Sequence, residues 1–181
     1  ASPALRGTVL FLGRLDAVKK PEVFLDAIKQ LEKEGVVVQA HVYGDPTPGR
    51  EAYAKGLKEH YSSLNSVTFL PGVTHDKTPL LYQTHSLYVN ATPSGSFDKT
   101  IGEAMAAGCI VIAMNEVLRG VLRDQLLVHS GEASAVAVSI QYALSLTDIE
   151  RRELSAQARA YVERTHSLAL LTKKLFGILT S

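Results

Sequence analysis

The chain has 181 residues, of which 46% are hydrophobic, and its formal net charge at pH 7 is +1. This size and composition predict a single domain over residues 1–181, and the scattered, balanced charges exclude a broad electrostatic surface for nucleic acid. The one cysteine, Cys109, excludes an internal disulfide, and no apolar stretch approaches the ~20 residues that span a bilayer. We therefore expect a soluble, cytoplasmic protein in which Cys109 is a buried structural thiol.

The first half of the chain alternates between strand and helix patterns. Thr8–Leu12 predicts the first strand, and Pro21, which suits the first turn of a helix, precedes an apolar i, i+4 stripe that ends before Gly35. Further strands are predicted at Val36–Tyr43 and Val67–Leu70, and further helices at Arg50–His60 and Thr78–Thr84. This alternation indicates parallel strands joined by right-handed crossovers.

The second half continues the alternation and ends in helices. The strands predicted at Ser86–Asn90 and Cys109–Ala113 enclose a polar loop and a short helix, and a last short strand is predicted at Leu126–His129. Helices are predicted from Glu132, from a capping box at Thr147–Glu150 and after Ser167. The fold class is α/β: a Rossmann-like, three-layer domain with a parallel sheet of about six strands flanked by helices, and with helices at its C-terminus.

Two loops at the carboxyl ends of predicted strands carry the chemistry, because open α/β sheets bind ligands there. The loop after the first strand places Arg14 and Lys19 just ahead of a helix N-terminus, where cations and helix dipole favour the same anion. The alternative is that both are solvated loop charges.

The second loop leads into a helix with one acidic residue, Glu103. Serine hydroxyls, a glycine and the amides that begin the helix suit phosphate oxygens, and Glu103 suits the hydroxyls of a sugar. The alternative is that Asp98 or Ser96 only caps the helix and that Glu103 pairs with Lys99 at i+4.

Other binding motifs are missing from the sequence. The six histidines have no metal-ligand spacing, so we predict no metal site, and His75-Asp76 is predicted to begin a helix. Neither G-x-G-x-x-G nor G-x-x-x-x-G-K-[ST] occurs, so a diphosphate would be bound in another way.

Four segments, in this order, resemble the C-terminal donor-binding domain of GT-B glycosyltransferases, particularly glycosyltransferase family 4. Gly13-Arg14-Leu15-Asp16 with Lys19 looks like the first-strand motif whose arginine and lysine hold the donor's diphosphate. Val42-Tyr43-Gly44-Asp45 resembles the second-strand Gly-Asp turn, and Val67 to Val73 resembles the segment whose backbone meets the nucleobase. Phe97 to Gly108 resembles the signature loop and helix, with Glu103 at the ribose-binding position.

The resemblance implies a donor site and three catalytic residues, Arg14, Lys19 and Glu103. The donor-binding residues that it implies are Gly13, Arg14, Lys19, Gly44, Val73, Ser94, Gly95, Ser96, Phe97, Asp98, Lys99, Thr100 and Glu103. Gly95 departs from the family, which has a glutamate there that touches the transferred sugar, so Ser94, Ser96 or Asp98 is a candidate for that role. The loop after Ala113 departs too, since it reads Asn115-Glu116-Val117-Leu118-Arg119-Gly120 where a Gly-Gly-Ile-Pro-Glu type is common.

The implied function is transfer of a glycosyl group from a UDP- or GDP-sugar with retention of configuration and without a metal or other cofactor. The family's N-terminal acceptor domain is absent from this chain, so residues 1–7 are interpreted as the remnant of an interdomain linker, and any peripheral membrane contact would come from that domain. Two alternatives stay open: a non-catalytic nucleotide-sugar-binding or regulatory module, and another enzyme of this architecture such as a nucleotide-sugar epimerase.

Overall fold

The computed structural model describes residues 5–93 and 98–166, together with Thr172 and Phe176. The predicted site residues Ser94, Gly95, Ser96 and Phe97 therefore lie outside the described residues, as does most of the helix predicted after Ser167. Within the described residues, no helix combines the length and the apolar content needed to cross a bilayer.

The described strands form one parallel sheet of five, in the order β3-β2-β1-β4-β5. They are β1 Leu5–Leu12, β2 Gln39–Tyr43, β3 Val67–Leu70, β4 His85–Asn90 and β5 Ile110–Ala113. The chain builds outward from β1 in one direction and then returns to continue on its other side with β4. The strand order thus reverses between β1 and β4, which is the point where open α/β sheets form a crevice for ligands.

Helices cover both faces of the sheet. They are α1 Pro21–Lys33, α2 Glu51–His60, α3 Thr78–Thr84, α4 Lys99–Ala107, α5 Ala133–Ser145 and α6 Asp148–His166. One core contains buried side chains of α1, α2 and α5, among them Phe24, Leu57 and Ile140; the other lies under α3 and α4 and contains Tyr82, Ile101 and Met105. Every residue of β5 is buried, as expected for a parallel strand covered on both sides. The predicted three-layer α/β fold is confirmed.

Several element boundaries differ from the prediction. β1 begins at Leu5, so residues 5–7 of the predicted linker lie in this strand. β2 begins only at Gln39, and Val37 is 88% exposed, so residues 36–38 belong to the connection after α1; Gly35 adopts a left-handed conformation at the start of that connection. The segment predicted as a sixth strand, Leu126–His129, contributes a single parallel bridge from Leu127 to Ala113, since a 3₁₀ turn at Asp124–Leu126 occupies its first residue.

Local capping signals are confirmed. The Glu150 amide donates to Thr147 Oγ1 at 3.2 Å, and the Thr147 amide donates to a Glu150 carboxylate oxygen at 2.8 Å, which is the predicted capping box at the start of α6. Gly108 ends α4 with φ of 88°, a left-handed conformation that glycine adopts without strain. His75 begins a 3₁₀ turn that leads into α3, as predicted.

Candidate functional site

An open cleft of about 430 Å³ lies at the carboxyl edge of the sheet, where β1, β2 and β3 end and α4 begins. Cavities of about 490 and 540 Å³ occur elsewhere on the surface, so volume does not single out this cleft. The position of this cleft singles it out as the candidate site, because open parallel sheets bind ligands beyond the carboxyl ends of their strands. Seven residues predicted from the sequence line it: Gly13, Arg14, Gly44, Val73, Lys99, Thr100 and Glu103.

Glycines hold the loops after β1, β2 and β3 together at the floor of the cleft. The Gly13 amide donates to the Tyr43 carbonyl at 3.1 Å, and a Cβ atom at Gly44 would lie 1.9 Å from the Gly13 carbonyl oxygen. The Asp45 carboxylate accepts from the Gly72 amide at 3.1 Å, and a Cβ atom at Gly72 would lie 2.5 Å from that carboxylate. Only glycine fits at position 44, where the backbones of the loops after β1 and β2 meet, whereas a side chain at position 72 would require the Asp45 carboxylate to move.

Asp16 organises the loop that carries both predicted cations. Its Oδ1 accepts from the amides of Val18 and Lys19 at 3.2 Å, and its Oδ2 accepts from the Thr47 hydroxyl at 2.7 Å. Burial alone would raise the pKa of Asp16, but the hydrogen bonds from Thr47 and Lys19 and the charge of Arg14 hold it below its ordinary value. Arg14 Nε lies 3.6 Å from Asp16 while its side chain stays 63% exposed beside the cleft.

Lys19 reaches the N-terminus of α4 rather than the open part of the cleft. Its Nζ donates to Asp98 Oδ2 at 3.1 Å, and the same oxygen accepts from Asn90 Nδ2 at 3.2 Å. Asp98 Oδ1 accepts from the amide and the hydroxyl of Thr100 at 3.1 and 2.9 Å. Asp98 is therefore the N-cap of α4, but it does more than cap the helix, because it also binds Lys19 and Asn90. Burial would raise the pKa of Asp98, but its bonds to Lys19 and Thr100 lower it.

Glu103 faces the cleft from the side of α4. The Tyr82 hydroxyl donates to Glu103 Oε2 at 3.4 Å, and His75 Nδ1 lies 3.7 Å from Oε1. Burial, together with the neighbouring Tyr88 and Glu103, raises the pKa of Tyr82, so its hydroxyl remains a donor at neutral pH. The contacts of Glu103 are thus with α3 and the loop after β3, and its partly exposed side chain lines the cleft.

Sequence reasoning missed the residues that orient the predicted ones. Asn90 is 4% exposed at the end of β4, and its amide nitrogen contacts Asp98, Thr100 and the Tyr88 hydroxyl. A polar residue that ends an otherwise apolar strand is the signal that would have found Asn90. Tyr82 gave no such signal, because it occupies an apolar position of a short helix.

The structure places Cys109 in the core and brings two of the histidines together. Cys109 is 3% exposed, its thiol donates to the His85 carbonyl at 3.4 Å, and burial raises its pKa, so it is structural as predicted. Within residues 5–93 and 98–166, no group of three or more metal-ligating side chains was found. His41 Nδ1 and His85 Nε2, however, lie 2.7 Å apart across the sheet, a pairing that their sequence spacing does not reveal.

Comparison with known proteins decides the family. The model of the family described as "Glycosyl transferases group 1" matches residues 6–145. The chain belongs to this family. The resemblance to GT-B glycosyltransferases stated from the sequence motifs is thereby confirmed.

Members of the family with assigned names are moderately similar to this chain. A phosphatidyl-myo-inositol mannosyltransferase of Mycobacterium leprae is 32% identical over 165 residues, which cover 87% of this chain and 42% of that protein. A D-inositol 3-phosphate glycosyltransferase of Rhodococcus opacus is 34% identical over 112 residues, which cover 59% of this chain and 25% of that protein. The chain therefore spans less than half the length of these relatives.

Solved structures share the fold at lower identity. TarM of S. aureus, in complex with UDP and other ligands, superposes with a TM-score of 0.83 at 15% identity, covering 99% of this chain and 36% of TarM. HepE of Anabaena, in complex with UDP and glucose, superposes with a TM-score of 0.81 at 22% identity, covering 97% of this chain and 48% of HepE. These similarities support the Rossmann-like α/β fold.

Proposed function

We propose that the chain binds the nucleotide-diphosphate sugar of a retaining glycosyltransferase and that transfer is completed in a cleft shared with an N-terminal acceptor domain. The observation that carries this proposal is the convergence of Arg14, Glu103 and the start of α4 around one cleft at the carboxyl edge of the sheet. HepE of Anabaena, which shares this fold, forms complexes with UDP and with UDP-glucose, and this supports a nucleotide sugar as the ligand.

The chemistry requires positive charge beside the diphosphate. When the bond between the sugar's anomeric carbon and the β-phosphate oxygen breaks, its electron pair stays on the diphosphate, and negative charge accumulates there. Arg14, Lys19 and the amide dipoles of α4 are the groups that we assign to this charge. We propose that they do so without a metal ion, so chelation of divalent cations should leave turnover unchanged.

Glu103 is assigned to the donor ribose. A carboxylate accepts hydrogen bonds from two neighbouring hydroxyls, and Tyr82 fixes one oxygen of Glu103 so that the group keeps its orientation. The backbone near Val73, which lines the same cleft, is assigned to the nucleobase. The proposed location of the protein remains the cytoplasm, with any membrane contact made by the acceptor domain.

A non-catalytic binding module is the second candidate, and one observation favours it. Asp98, a candidate for the role of the glutamate that Gly95 replaces, has both carboxylate oxygens engaged by Lys19, Asn90 and Thr100. In this arrangement the Asp98 carboxylate has little remaining capacity to accept hydrogen bonds from the sugar. Binding of a nucleotide sugar without any transfer by the longer protein would identify this second function.

Calorimetric titration of the 181-residue chain with UDP and GDP tests the primary proposal. We expect one nucleotide to bind and Glu103→Gln to weaken that binding by about tenfold, since it converts one carboxylate acceptor into a neutral amide. Glu163→Gln, an exposed substitution on α6, is the matched control and should bind like the unsubstituted chain. Absence of binding by both nucleotides, or an equal effect of the two substitutions, would contradict the assignment.

A further inference from the structure

Four donors surround the carboxylate of Asp98: Lys19 Nζ, Asn90 Nδ2, and the amide and hydroxyl of Thr100. They come from three places in the fold, namely the loop after β1, the end of β4 and the first turn of α4. An ammonium group, a side-chain amide, a hydroxyl and a helix N-terminal amide are all hydrogen-bond donors that suit phosphate oxygens. In this structure they bind an anion that belongs to the chain.

Burial makes this contact more than a surface ion pair. The side chain of Asp98 is 16% exposed and that of Lys19 is 24% exposed, so water screens the pair only in part. The second assigned cation, Arg14, also has a carboxylate beside it, at 3.6 Å in Asp16. Both cations that the proposed function assigns to the diphosphate therefore face an acid of their own chain.

We propose that Asp98 occupies the diphosphate position of the unliganded site and that the nucleotide sugar must displace the Asp98 carboxylate from Lys19 in order to bind. This inference rests on the proposed function, because it concerns the same Lys19. A phosphate oxygen and the Asp98 carboxylate cannot both lie against one ammonium group and the Thr100 amide without placing two negative charges in close contact. Binding thus exchanges one anion for another.

The position of Asp98 allows this exchange without unfolding. Asp98 is the N-cap of α4, so rotation of its side chain away from Thr100 leaves the helical backbone intact, and a phosphate oxygen would then satisfy the exposed amide. The same geometry has a rival interpretation, in which Asp98 is a positioning residue that holds Lys19 ready for phosphate. The two interpretations predict opposite signs when the charge of Asp98 is removed.

The test measures affinity for inorganic pyrophosphate, which has the charges of a diphosphate but no ribose or base. In calorimetric titrations of the 181-residue chain, we expect Asp98→Asn to bind pyrophosphate about tenfold more tightly, with a steeper dependence on salt, because Lys19 is released. Asparagine still caps helices well, so α4 should persist, and thermal unfolding verifies this. Asp124→Asn, an exposed substitution after β5, is the matched control and should leave the affinity unchanged.

A second pair of variants separates displacement from positioning. Lys19→Gln should weaken pyrophosphate binding more in the Asp98→Asn background than in the unsubstituted chain, because only there is the full charge of Lys19 available before binding. Equal or weaker pyrophosphate binding by Asp98→Asn would overturn the inference. Failure of the proposed function gives a different result. In that case Glu103→Gln leaves nucleotide binding unchanged, independently of the affinities measured for pyrophosphate.

Discussion

Substitution of Gly44 by alanine should destabilise the protein because the added methyl group has no space. A Cβ atom at position 44 would lie 1.9 Å from the Gly13 carbonyl oxygen, and ordinary contact begins at 3.4 Å, so the loops after β1 and β2 must separate by about 1.5 Å. Overpacking of this kind costs about 1–3 kcal/mol. Weakening the hydrogen bond from the Gly13 amide to the Tyr43 carbonyl adds roughly 0.5–1.5 kcal/mol. We expect the free energy of unfolding to fall by about 1.5–4.5 kcal/mol.

Gly56→Ala provides a control of opposite sign. Gly56 lies inside α2, and a Cβ atom there would meet nothing within 4 Å, so alanine should stabilise the protein by roughly 0.5–1 kcal/mol through its better helix propensity. Urea denaturation of the two variants and the unsubstituted chain measures both effects. If Gly44→Ala unfolds at the same urea concentration as the unsubstituted chain, the close approach of the two loops is wrong.

Three further predictions concern the site and the pH dependence of stability. Tyr82→Phe should weaken nucleotide binding about threefold, because Glu103 loses its hydroxyl partner, and leave pyrophosphate binding unchanged; an equal loss for both ligands in calorimetry would contradict the role of Tyr82. In the proposed two-domain enzyme, Arg14→Gln should lower turnover about 100-fold while the urea midpoint stays the same, and retention of full turnover would remove Arg14 from the proposed mechanism. Burial lowers the pKa values of His41 and His85 below the usual 6.5, so the neutral pair stabilises the fold above pH 6.5 and this stabilisation is lost as the pH falls. Thermal unfolding between pH 7.5 and 5 should therefore show a midpoint that falls on acidification less steeply in His41→Gln than in the unsubstituted chain; equal slopes would disprove the effect.

Local patterns were sufficient to predict most elements of the fold. The strand Val67–Leu70 and the helix Thr78–Thr84 are found with the predicted bounds, because apolar runs and helical spacing depend on neighbours along the chain. The boundaries that failed depend on contacts between distant segments. Leu126–His129 has the composition of a strand, yet only Leu127 pairs with β5, since pairing requires a partner edge that the sequence does not show.

Some features of the candidate site could likewise be predicted from the sequence, and others depend on the tertiary structure. The sequence alone identified the residue types, the glycine turns and the cleft at the carboxyl ends of the strands, and its motifs pointed to the family that comparison then established. The tertiary structure decided how these residues are paired: it joined Lys19 to Asp98, directed Tyr82 at Glu103 and placed His41 against His85. Such pairs join residues far apart in the chain, and their geometry follows from strand order and crossover packing. Motifs therefore predict which residues a nucleotide sugar would contact, whereas only the folded chain shows that Lys19 is already bound to the Asp98 carboxylate.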